Sequence, residues 1–154
     1  MKTLTDNQFK TIIQEIQDQI DYEFDSKYAK VFGIMLNDNL DIQFEPIKTS
    51  ADVYELINDS PEVFAAVNEY DLITIATCGW AAPIDKDNNN EVAPSKHPER
   101  RRVRLLTTAN TNSQFGSSIA FNDNPNEPVY DFGKAKGALA DAIMELINTA
   151  KKEG

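Results

Sequence analysis

The arginines of this chain are Arg100, Arg101, Arg102 and Arg104, so every guanidinium it possesses falls within five positions. The single Cys (Cys78), the single Trp (Trp80) and the single His (His97) lie within the same 27 residues, from 78 to 104. From Pro94 to Arg104, five positive charges face only Glu99, a local balance of +4 inside a chain of net charge −10. In an extended segment, Arg100, Arg102 and Arg104 project from one side and Val103 and Leu105 from the other, with ~6–7 Å between successive guanidiniums. A guanidinium is permanently charged and donates in a planar fork, so such a row suits phosphates or carboxylates. Trp80 adds a flat surface if its strand neighbours the arginine strand. His97, followed by Pro98, reads as a loop residue or as a further partner for an anion.

The same residues support other chemistries. Cys78 and His97 could form a nucleophile and its base, since that pairing requires contact in space and no fixed spacing. Cys at the end of an apolar strand is also a small buried hydrophobe. Asp85, Asp87 and Asn89 open like a calcium loop, but Asn90 stands where a sharp turn wants Gly and Lys96 where the bidentate Glu belongs. Asp123 and Glu127 are a carboxylate pair in a chain full of carboxylates. The row could equally pair with Asp and Glu across the sheet or across a subunit contact, each pair contributing ~0.2–1 kcal/mol.

Composition narrows the classes further. With 154 residues and 17.3 kDa, the chain is the size of one domain, read here as residues 1–154 with a long loop at 79–100. One Cys and one His exclude an internal disulfide, a four-Cys zinc site, a Cys-x-x-Cys pair and a two-His metal motif. No cofactor is expected. An acidic balance of 25 against 15 basic residues opposes an extended duplex and anionic membrane surfaces. The polar start, the lack of ~18 consecutive apolar residues and the lone thiol predict a cytoplasmic protein with no membrane span.

The elements that must position these residues follow from periodicity. Thr5 and Gln8 have capping-box spacing, and Leu4 and Phe9 that of a hydrophobic staple. The stripe Phe9, Ile12, Ile13, Ile16, Ile20 and Phe24 predicts the first helix. Residues 30–36 read as a buried strand, Asn37-Asp38-Asn39 as a turn, and Leu40, Ile42 and Phe44 as a half-buried strand ended by Pro46. Val53, Leu56 and Ile57 mark one short helix, and Ser60-Pro61-Glu62 starts another. Strands are predicted at 71–78, 101–108 and 117–121. A Pro- and Asn-rich connection at 122–130 then leads to a last helix carrying Leu139, Ile143, Leu146 and Ile147.

The expected fold is therefore α+β, an antiparallel five-stranded sheet with helices packed on it, in the order αββαβββα. In element order this resembles the small three-layer domains of the profilin-like and roadblock families, which implies a scaffold or interaction module. The leading functional expectation is a small acidic binding module that recognises an anionic small molecule or an acidic protein surface through Trp80, His97, Arg100, Arg102 and Arg104. One alternative is a hydrolase or transferase acting on a phosphorylated substrate through Cys78 or His97. The other is a homo-oligomer subunit with the arginine row at its interface.

Overall fold

The computed structural model describes residues 3–82, 96, 98–132 and 137–153. The first helix, α1 (Asp6–Gln19), starts as its sequence dictates. The Thr5 hydroxyl accepts from the Gln8 amide, the Gln8 side chain accepts from the Thr5 amide, and Leu4 and Phe9 are both buried beside the cap. The helix ends at Gln19, with Ile20 as its cap, so Phe24 belongs to the following connection and not to the helical stripe.

Six strands form one antiparallel sheet in the order β2-β1-β3-β4-β5-β6. They are β1 (Ala29–Leu36), β2 (Ile42–Ser50), β3 (Leu72–Ala81), β4 (Arg101–Ala109), β5 (Phe115–Phe121) and β6 (Asn124–Phe132). Between β2 and β3 lie α2 (Val53–Asn58) and α3 (Pro61–Glu69), and α4 (Ala138–Glu153) closes the chain. The α+β class and antiparallel sheet agree with the sequence. The strand count does not: there are six, and the order is αββααββββα.

The helical region between β2 and β3 counts as two helices, α2 and α3, and the strand boundaries differ because of proline at the sheet edges. Pro46 does not end β2, which runs on to Ser50 with a bulge opposite Val31 and Phe32. The segment 122–130 is mostly strand, because β6 pairs with β5 through Ile119↔Val129 and Phe121↔Asn124 around a tight Asn122-Asp123 turn. β2 and β6 are the two edges, where a residue without an N–H sacrifices no ladder bond on its open side. The turn at 37–39 forms as expected, with Asn37 Oδ1 accepting from the Asn39 and Asp41 amides. Its left-handed residue, however, is Leu40, at φ 63°.

The sheet is covered on both sides. Phe9, Ile12, Ile13 and Ile16 of α1 pack on Phe32, Ile34, Leu72, Ala76 and Leu106. On the opposite side, α2, α3 and α4 bring Leu56, Val63, Val67, Ile143 and Ile147 onto Val31, Ile73, Ile75 and Ala109. β1 and β3 supply apolar residues to both layers, which explains their continuous apolar runs. Among the described residues no helix is long and apolar enough to cross a membrane.

At Gly33 the ring of Tyr70 lies so close that a Cβ would fall 2.5 Å from its Cγ. Gly33→Ala must therefore push the Tyr70 ring away. A loss of ~1–3 kcal/mol is expected in denaturant unfolding, the usual cost of overpacking; an unchanged midpoint would show that the ring moves freely.

Candidate functional site

β3 and β4 are neighbours, in a register that opposes Trp80 to Arg102 and Cys78 to Arg104. Side chains alternate along a strand, so Arg102 and Arg104 share the α1 side of the sheet with Leu106, and Trp80 and Cys78 share it with Ala76. The arginines nevertheless have three different surroundings.

Arg104 is buried beneath the end of α1. Its Nε donates to Gln17 Oε1 (3.1 Å), its Nη2 to Gln17 Oε1 and to the Gln17 carbonyl (3.0 Å), and its Nη1 to the Tyr22 carbonyl (2.8 Å). Its guanidinium carbon also lies 4.8 Å from the Phe24 ring centroid. Gln17 in turn donates through Nε2 to Ser118 Oγ of β5 (2.7 Å). The charge thus rests on carbonyl oxygens, one of them in the last turn of α1, where the helix dipole is negative. Burial pulls the Arg104 pKa below its usual value, partly opposed by Cys78. Arg104 is not part of an exposed row, because the chain that leaves α1 covers it.

Arg101 points to the other side of the sheet and to the β5–β6 turn. Its Nε donates to Asp123 Oδ2 (2.8 Å), Nη2 also bonds Asp123, and its guanidinium carbon stands 4.0 Å from the Phe121 ring centroid. Each partner shifts the other toward the charged form, Arg101 upward and Asp123 downward. Asp123 is therefore engaged by Arg101, and Glu127 accepts from Asn124 Nδ2 (3.0 Å). The two carboxylates thus have separate hydrogen-bond partners.

Arg102 and Arg100 converge on Trp80. Their guanidinium carbons lie 4.1 and 4.8 Å from its ring centroid. Arg100 precedes β4 and is exposed, whereas Arg102 and Trp80 are half-buried. A guanidinium held over an indole uses its face for the ring and keeps its N–H donors at the rim. Trp80 therefore acts first as a platform that orients two cations. Among the described residues, no carboxylate pairs with Arg102.

Beside Arg102 opens a cleft of about 620 Å³ lined by Glu23, Phe24, Asp25, Trp80, Arg102 and Asn122. Glu23, Phe24 and Asp25 come from the α1–β1 connection and Asn122 from the β5–β6 turn, where its amide donates to the Arg102 carbonyl (2.9 Å). None of these four was legible as a lining residue. Phe24 looked like helix, and nothing local in the sequence marks which connection crosses the end of β3 and β4.

Cys78 is partly exposed, and its Sγ donates to the Glu23 carbonyl (2.9 Å). It also lies beside Tyr22, whose pKa is raised from 10.0 to about 12, chiefly by burial. The Tyr22 hydroxyl donates to the Tyr28 carbonyl. His97, with Asp85, Asp87 and Asn89, lies outside the described residues. Among the described residues no cluster of three or more His, Cys, Asp or Glu could hold a metal. No family model, curated protein or solved structure matches the chain.

Two outcomes test the Arg104 assembly. Arg104→Met leaves the Gln17 and Tyr22 carbonyls without their donor, and a loss of ~2–4 kcal/mol is expected in chemical denaturation; stability within error of wild type would contradict the assignment. Tyr22 is more acidic unfolded than folded, so the stability it contributes below pH 10 is lost as pH climbs through about 12. Tyr70, raised to about 12 by its hydrogen bond to Glu45, adds a loss of the same sign. Tyr22→Phe should therefore flatten the alkaline fall in unfolding midpoint only in part, and an unaltered pH profile would count against this role of Tyr22.

Proposed function

We propose that this chain is a binding module whose recognition site is the Trp80–Arg102 cleft and whose ligand presents an anionic group to Arg102. The observation that carries this reading is the pair of guanidiniums held over one indole, beside an open cleft. Stacking limits the rotamers of Arg102 before any ligand arrives, so less side-chain entropy is lost on binding. The permanent charge and planar fork of Arg suit phosphate or carboxylate oxygens. The cleft of about 620 Å³ has room for a small anionic ligand.

The division among the arginines supports the same reading. Arg104 serves the fold and Arg101 a surface pair with Asp123, while Arg102 faces a cleft in which no carboxylate claims it among the described residues. The Cys78 contact with the Glu23 carbonyl favours a thiol that holds the 22–25 connection in place over one used as a nucleophile.

Trp80 is the only tryptophan, so its fluorescence reports on this site alone. Titration with inorganic phosphate, sulfate and mononucleotides should give a saturable change for at least one of them, weaker at higher salt and absent in Arg102→Ala. Trp80→Phe, followed by equilibrium dialysis, should weaken binding a few-fold, in line with the ~0.5–1 kcal/mol of an exposed cation–π contact. No saturable response from any anion, or full affinity in Arg102→Ala, would overturn the proposal.

A further inference from the structure

We infer that the ligand of this cleft is a guanine nucleotide, an inference that rests on the anion-binding reading above. The lining is of mixed sign. Among the described lining residues Arg102 is the cation, and the exposed carboxylates Glu23 and Asp25 come from the facing connection. A bare phosphate would gain from the guanidinium and be repelled by both acids. A ligand that brings hydrogen-bond donors along with its anion turns that repulsion into attraction.

The shape of a carboxylate narrows the choice. Its two oxygens accept side by side, so it is matched by two parallel N–H groups. Among the common nucleotide bases, guanine presents an imino and an amino N–H adjacent on one edge. Adenine, cytosine and uracil each set an acceptor next to their donor. The Asn122 amide offers a donor and an acceptor to the remaining polar atoms. Phe24 supplies a flat surface of the kind on which bases stack. The phosphate then lies toward Arg102, and the base edge toward Glu23 or Asp25.

The test compares GMP, UMP and inorganic phosphate by equilibrium dialysis against three proteins: wild type, Arg102→Ala, and the double variant Glu23→Gln with Asp25→Asn. The acidic positions are exposed, so the double variant retains the fold, checked by its unfolding midpoint. Wild type should bind GMP ~10-fold or more tightly than UMP or phosphate, the scale of one charge-assisted hydrogen bond. That preference should vanish in the double variant, and all binding in Arg102→Ala. Equal binding of GMP, UMP and phosphate, strengthened uniformly in the double variant, would overturn the guanine assignment and leave the anion site standing. Failure of all three ligands to bind wild type would remove both.

Discussion

The buried guanidinium of Arg104 is the contact on which the arrangement depends. It ties strand β4 to the carbonyl end of α1 and to the chain just beyond it, through Gln17 and Tyr22. Gln17 extends the tie to Ser118 on β5. A permanent charge removed from water is costly unless its donors are satisfied. Here carbonyl oxygens and a helix end satisfy them, with no carboxylate among the bonded partners. The α1–β1 connection thus crosses the sheet at Arg104, and the strand ends that carry Arg102 and Trp80 lie outward of that crossing.

That crossing divides the α1 side of β4 in two. Inward of it lie Leu106 and Thr108, in the core; the Thr108 hydroxyl meets that of Thr74 at 2.7 Å. Outward of it lies Arg102, set over Trp80 and beside the cleft. The connection that buries one arginine thus forms a wall of the site that exposes the other. Cys78 contributes to the same boundary through its bond to the Glu23 carbonyl. On the reverse side, the Arg101–Asp123 pair and its contact with Phe121 fix the β5–β6 turn that brings Asn122 to the cleft.

Local chemistry made much of this readable in advance. The Thr5–Gln8 box, the Ser60-Pro61 start and the apolar stripes located the helices, because caps and periodicity act over a few residues. The pairing of Trp80 with the arginine strand was readable only as a conditional, and register made it real. The prolines of β2 and β6 misled for a physical reason: proline forbids a central strand and permits an edge, and edge position is a property of the whole sheet. The different surroundings of Arg101, Arg102 and Arg104 were hidden for a similar reason. Alternation places Arg102 and Arg104 on one side, but only the length of α1 decides which of them is covered.

The central claim is that neighbouring arginines on one face do different work, Arg104 holding the fold and Arg102 facing a ligand. With only four arginines in the chain, the side-chain Nε–H resonances of ¹⁵N-labelled protein form a spectrum simple enough to assign by single substitution. Proton exchange with water and the response to added phosphate would be measured for each. The account predicts slow exchange and no phosphate response for Arg104, and fast exchange with a saturable shift for Arg102. Fast exchange at Arg104, or a shift at Arg104 that tracks the one at Arg102, would contradict it.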